Sequence, residues 1–422
     1  MATIKAFKAL RYNPKLVTNM ENVICPPYDI VDNEEYNKLT KKSPYNLIRL
    51  ELPKESETPY KHAKKLLDSW KAQGILTHDK KNSLYVYEEE FTLKNEVKKI
   101  KGLICRVKLE EFSKKIILPH EETLSKAKED RLNLMENTAC NFSPIYSLYI
   151  DDDNKTYTDI NNLTNSKPTI EVTDENKIIH RLWTIDNQNI TEKICSDFKT
   201  RKLYIADGHH RYETALKYNK LHPSNSSKYV MMMLVDMQND GLVVFPTHRL
   251  VKNINDFDPQ QVIKSVKTHF DILEIEDTKS IESKLNIYYK NGKNAFAFYY
   301  GKDKAVIMVL RDNNVLDNLI PQKSKAFKSL DVTVLHSLIL EKLLGINDDN
   351  MANQLNLSYT RDFNKALQEV DSGNANCAFI LNPTRVSQIK DVALAGEKMP
   401  QKSTYFFPKL ISGLVINDIL ID

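Results

Sequence analysis

Apolar residues recur along this chain in two rhythms, and the rhythms mark out its elements. In residues 58–74, TPYKHAKKLLDSWKAQG, the residues Ala63, Leu66, Leu67 and Trp70 lie three or four positions apart. This spacing predicts a helix with one apolar stripe, and Gly74 stands where a left-handed residue ends it. SLYVYEEEFTL and IKGLICRVKL read as two strands, rich in β-branched and aromatic residues, although their alternation is imperfect. NFSPIYSLYID is a further strand that ends in an acidic loop, and TRKLYIADGHHRYETALKYNKLH reads as strand, turn and helix. KYVMMMLVDMQNDGLVVFPTHRLV reads as two strands joined by the turn-former Asn239-Asp240-Gly241. In NVICPPYDIV the Pro26-Pro27 pair bars a helix and holds the backbone extended or turning. From residue 253 onward, helical and strand patterns alternate, which sets a second α/β or α+β unit apart.

At 422 residues the chain is too long for one ordinary core. The expected division is an N-terminal α/β segment over 1–99, a catalytic core over 100–252 and a C-terminal α/β domain over 253–422. The hydrophobic share of 41% and charged share of 27% are those of a globular protein. With 60 basic and 56 acidic residues interspersed, there is no basic stripe to recruit a nucleic-acid backbone, which argues against a nucleic-acid partner. No apolar run is long enough to span a bilayer and MATIKAFKALRYNP has no signal-peptide core, so the expectation is a cytoplasmic protein without a membrane partner. A homodimer is compatible with the sequence. The five cysteines, at 25, 105, 140, 195 and 377, form no CxxC and read as reduced, buried thiols.

Glycine is scarce, 10 in all, and neither GxxxxGK[ST] nor GxGxxG occurs. A phosphate would therefore be held by side chains and a short run of backbone N–H groups. The stretch YIADGHHRYETAL offers such a place. Asp207 and Gly208 turn the chain at a strand end, with Asp207 as the expected N-cap. His209, His210 and Arg211 open a helix whose apolar face includes Tyr212, Ala215 and Leu216. The positive end of a helix dipole, a planar guanidinium and two imidazoles suit an anion. Asp207 is open to three partners: the backbone, a metal such as Mg²⁺, or a substrate ammonium.

A second cluster, ILPHEETLSKAKEDRL, sets His120 and Glu121 at a strand end, ahead of Lys126, Lys128 and Arg131. The zincin motif HExxH fails here because Leu124 stands where the second histidine belongs. Glu121 in a basic neighbourhood suits a general base, and a solvated helix start is the competing reading. His248 and Arg249, in PTHRL, form a candidate third wall of the same pocket. Tyr28 and Asp29 follow the double proline as a rigidly held pair. Lys398, Gln401, Lys402, Ser403 and Lys409 make a polar tail patch that fits either phosphate or a salt-bridged domain surface. Trp183 in HRLWTI reads as core.

The order LPHEET, SPIYSLYID, LYIADGHHRYETAL resembles the ParB/sulfiredoxin-like superfamily, and within it the free serine kinases. The blocks CPPYD, HEETLSKAKEDRL, ADGHHRYETA, PTHRL and MPQKSTYF are similar, end to end, to the DUF1015 family. The resemblance implies an α/β (α+β) fold, a ParB/sulfiredoxin-like mixed core with an additional C-terminal domain. It also implies a phosphotransfer enzyme of serine metabolism, acting on serine or phosphoserine with ADP or ATP and Mg²⁺. By that resemblance Glu121 is the base, His120 and Asp207 assist it, and His209, His210 and Arg211 hold phosphate, with Lys128, Arg131, His248 and Arg249 as further basic contacts. Asp207 is also the Mg²⁺ ligand it implies. Two other classes stay open: a ParB-like nucleotide-binding, DNA-associated regulator, and a metal-dependent phosphoesterase using His120, His209 and His210. The long insertion between Ile145 and Tyr204 and the large C-terminal unit have no counterpart in a minimal kinase.

Overall fold

A computed structural model describes residues 1–123 and 125–421, leaving Leu124 and Asp422 outside the described residues. Two compact units emerge from it. The first comprises Met1–Pro119, Thr123–Val243 and Pro408–Asp422, and the second comprises His120–Glu122 and Val244–Phe407. The fold is a mixture of helices and sheets, of the α+β class.

The first unit is built on a nine-stranded mixed sheet. Its strands are β1 (Ile4–Lys5), β2 (Leu84–Leu93), β3 (Glu96–Lys108), β4 (Ile117–Leu118), β5 (Ile145–Tyr149), β6 (Ile170–Thr173), β7 (Ile179–Ile185), β8 (Leu203–Asp207) and β9 (Tyr229–Asp236). Their order is β4-β8-β5-β9-β3-β2-β7-β6, with β1 beside β3. β9 and β5 are buried along nearly their whole length, which explains why YVMMMLVD and IYSLY are apolar without alternating. The helices of this unit include α1 (Pro59–Ala72), α2 (Ser125–Thr138) and α3 (His209–Leu221). Gly74 adopts the left-handed conformation expected just past α1. Trp183 is buried, with its indole N–H donating to the Ser166 carbonyl at 2.8 Å.

The second unit carries a six-stranded sheet in which every pair is antiparallel. Its strands are β10 (His248–Val251), β11 (Phe270–Ile275), β12 (Ala295–Tyr299), β13 (Ala305–Leu310), β14 (Leu357–Thr360) and β15 (Cys377–Leu381), in the order β11-β13-β12-β15-β10-β14. Helices α4 (Ile281–Lys290) and α5 (Phe363–Asp371) place Ile281, Leu285, Ala366 and Val370 in one cluster with the strand residues Ala297, Ile307 and Ile380. A further helix, α6 (Val386–Leu394), follows β15.

Strands lie on both sides of the Asn239-Asp240-Gly241 turn as expected, Tyr229–Asp236 before it and Val243–Val244 and His248–Val251 after it. The Asn239 side chain does close a turn, accepting from Gly241 N at 2.9 Å. However, β9 pairs with β3 and β5 in the first sheet, while β10 pairs with β14 and β15 in the second. The turn forms from its local chemistry; the strand partners are chosen by packing far along the chain. Among the described residues, no helix is long and apolar enough to cross a membrane.

Gly102 lies in β3 against β9, where an added Cβ would come within 2.7 Å of the Leu234 carbonyl oxygen and 2.6 Å of a Val235 methyl. A backbone atom cannot step aside as a flexible side chain can. Gly102→Ala is expected to lower the urea-unfolding free energy by about 1–3 kcal/mol, and Gly102→Val by more.

Candidate functional site

The corner between β8 and α3 gathers Asp207, His209, His210 and Arg211 within five positions. A register shift between Ile205 and Asp207, relative to β5, re-aims the strand end, as bulges do next to sites. Gly208, not Asp207, is the N-cap of α3 and has φ 94°, a left-handed value. Any Cβ there would also sit 2.9 Å from the Arg211 guanidinium, so glycine serves both the turn and the arginine that folds back over it. With the N-cap role taken by Gly208, the Asp207 carboxylate is turned to cations instead. Its Oδ2 accepts from Arg211 Nη2 at 2.8 Å, and its Oδ1 accepts from Lys409. Arg211 Nη1 donates to the Pro144 carbonyl at 2.7 Å.

Burial acts to raise the Asp207 carboxyl, but Lys409, and after it Arg211, outweigh burial and hold it well below the usual carboxylate range. Burial likewise acts to lower Arg211, and Asp207 first among the nearby groups reverses that. His209 is buried and His210 half-buried at the start of the helix. Because both Asp207 oxygens already accept from the chain's own cations, the residues of this turn do not fit a Mg²⁺ ion bound to Asp207. Among the described residues no three His, Cys, Asp or Glu side chains gather as metal ligands.

Below the turn lies a polar network that the sequence only hinted at. Tyr28, held in a short 3₁₀ turn after Pro27, stacks beneath Arg131, whose guanidinium carbon is 3.9 Å from the ring centre. Burial pushes the Tyr28 hydroxyl up to about 12. Arg131 donates to the Glu51 carbonyl oxygen at 2.7 Å and to Asp130. Glu51 is 1% exposed; burial raises its carboxyl, against the lowering effect of Ser143, Ser412, Arg131 and Arg211. A cavity of about 50 Å³ is lined by Glu51, Arg131, Ser143 and Arg211, among others. Lys128 is paired with Glu213 at 2.8 Å. Glu51 sits in no motif, so no sequence signal marks it, whereas the double proline did mark Tyr28.

His120 and Glu121 belong to the second unit, where the segment around Met399 straps them in place. Met399 N donates to the His120 carbonyl at 2.7 Å, and Glu121 forms a parallel bridge with Met399. His120 Nε2 lies 2.9 Å from Thr404 Oγ1, and Glu121 Oε1 accepts from Lys402 N at 3.1 Å. Glu122 pairs with Lys398 at 3.1 Å. The tail patch is thus divided: Lys398 and Lys402 hold the HEE segment, while Lys409 belongs to the first unit and holds Asp207.

His248 and Arg249 sit on β10. His248 is buried, accepts from Leu381 N at 3.3 Å, and is pulled down to about 4, mainly by burial, so it is neutral at pH 7. Arg249 is 1% exposed and donates to the carbonyls of Thr247, Gln401 and Lys402.

A family model described as "Protein of unknown function (DUF1015)" matches residues 4–333. No curated protein matches the chain. Among solved structures, a mutant free serine kinase in complex with ADP is similar at TM-score 0.39 and 13% identity, over 75% of this chain and 91% of that one. A free serine kinase in complex with AMP aligns at TM-score 0.39 and 14% identity, over 75% and 90%. SbnI with a C-terminal truncation, from Staphylococcus aureus, aligns at TM-score 0.38 and 10% identity, over 75% and 88%.

Asp207→Asn removes the carboxylate and leaves Lys409 and Arg211 facing each other. At pH 7 the expected loss of unfolding free energy is on the order of 3 kcal/mol. A carboxyl depressed in the folded state stabilises above its unfolded value, and the gain is lost as pH falls through the folded value. The gap between wild type and Asp207→Asn in urea melts should therefore be full at neutral pH and narrow below about pH 4.

Proposed function

The chain belongs to the DUF1015 family, and we propose that this member is a phosphotransfer enzyme acting on the serine/phosphoserine pair with ADP or ATP. One observation carries the reading. β4 and β8 are hydrogen-bonded neighbours running in parallel, with Ile117 beside Leu203 and Leu118 beside Tyr204. LPHEE follows from the carboxyl end of one and ADGHHR from the carboxyl end of the other. In α/β sheets, ligands gather beyond the carboxyl ends of strands. The two motifs that resemble those of free serine kinases thus issue from paired strand ends.

In this reading Glu121 accepts the proton of the serine hydroxyl as that oxygen attacks the terminal phosphorus of the nucleotide, and the nucleotide leaves one phosphate shorter. In reverse, phosphoserine passes its phosphoryl group to ADP, or to water when the enzyme acts as a phosphatase. His209, His210 and Arg211 neutralise the phosphate at the start of α3, since phosphoryl transfer depends mainly on positioning and charge. Asp207 stores the Arg211 guanidinium in place until phosphate arrives to share it. Magnesium enters on the nucleotide phosphates, as part of the substrate.

Incubation of the protein with phosphoserine and Mg²⁺, with and without ADP, distinguishes the directions. ATP formed only with ADP marks reversible kinase chemistry, and free phosphate formed without ADP marks hydrolysis. No turnover of serine or phosphoserine in any arm would sink the proposal. Glu121→Gln is nearly isosteric and should lower turnover by about 100-fold or more with an unchanged thermal midpoint. Full activity in that variant removes Glu121 as the base.

A further inference from the structure

We propose that the second unit binds a small phosphate monoester in the cavity that Arg249, Lys293 and Arg385 line beside the first turn of α6. Every wall of the cavity comes from the second unit, and none of His209, His210 and Arg211 lines it.

The cavity has a volume of about 260 Å³, room for a phosphate on a few carbon atoms. Its charge is lopsided: three cationic side chains line it against one carboxylate, Asp331. Burial raises the Asp331 carboxyl to about 7, so even that one negative charge is only partly present at neutral pH. Asn294 Nδ2 donates to Asp331 Oδ1 at 2.7 Å and fixes it in the wall. A dianion balances the cations that remain, and a monoanion does not.

Arg249 points to a ligand most directly. It is almost fully buried, its hydrogen bonds all go to carbonyl oxygens, which are neutral acceptors, and its Nε has no hydrogen-bond partner; the Tyr359 ring, 5.6 Å away, and Glu121 favour its charge without bonding it. Burial pulls the guanidinium down to about 10. A buried cation with an idle donor is costly unless an anion completes it. Arg385 is already oriented: its guanidinium carbon is 4.2 Å from the centre of the Tyr289 ring, and it donates to the Tyr289 carbonyl. It also precedes α6, whose first turn brings Ser387 and Gln388 to the cavity and adds the positive end of a nine-residue helix. Cationic forks, a helix start and an unsatisfied buried donor all favour the same doubly charged oxyanion. The hydroxyl and amide groups of Ser329, Asn382 and Thr384 suit the ester's polar remainder.

Titration calorimetry on the full chain tests this with glycerol 3-phosphate, using glycerol, inorganic phosphate and succinate as comparison ligands. Glycerol 3-phosphate is expected to bind and to raise the thermal midpoint, and glycerol to do neither. Arg385→Gln and Lys293→Ser should each weaken binding about ten-fold, the loss of one charge-assisted contact. Lys293 is exposed, so Lys293→Ser keeps the fold and remains informative if Arg385→Gln does not fold. Absence of glycerol 3-phosphate binding overturns the proposal, and so does binding that Lys293→Ser leaves unchanged. Succinate binding more tightly makes it a dicarboxylate site, and inorganic phosphate binding equally well makes it an inorganic-anion site; either outcome overturns the ester assignment.

Discussion

The first unit depends on the return of the chain's last segment. Lys409, from Pro408–Asp422, meets Asp207 at the β8–α3 corner. The same segment exchanges backbone hydrogen bonds with Cys25 through Ser412, at 3.1 and 2.8 Å, and with Leu10 through Ile416, at 2.9 and 3.0 Å. It also receives the fully buried Arg106, which donates to Asn417 at 2.7 Å and to the Asp418 carbonyl. Asp207 and Lys409 are 202 positions apart, so the charge balance of the corner is a long-range contact. Such contacts are formed late, because loop closure must precede them.

Both units keep ionisable groups where water cannot reach them easily, and they treat them differently. At the β8–α3 corner the charges are matched: one carboxylate serves two cations, and the carboxyl is held low as a result. In the second unit the hydrogen bonds of Arg249 go to carbonyls, with Glu121 and Tyr359 acting on it only weakly against burial, and Asp331 is pushed up rather than held down. Matched groups rigidify a corner, while unmatched ones are a standing cost in stability. Natural proteins tolerate that cost mainly where the group has work with a ligand.

Relations between residues near in sequence are legible along the chain, and relations between residues near only in space are not. The Gly208 turn, the helix that follows it, the α1 stripe and the cap at Gly74 all follow from backbone preferences that act over a few residues. The N-cap is Gly208, one residue beyond the expected Asp207, because Asp207 has better partners than the helix start. Lys409 was visible in the sequence as one basic residue among several in the tail, with nothing to tie it to Asp207. Glu51 was invisible, since a buried glutamate leaves the same letter as an exposed one.

The sequence by itself determined where the strands and helices lie, and it singled out two charged motifs, LPHEE and ADGHHR, at strand ends; local periodicity and turn preference act within a few residues and need no partner. Only the tertiary structure decided that the strands feeding those motifs are parallel neighbours and that Asp207 is shared by Arg211 and Lys409. It also decided that the strands on either side of the Asn239 turn join different sheets. Strand pairing and charge matching are set by packing between distant segments, and that packing leaves no periodic trace along the chain.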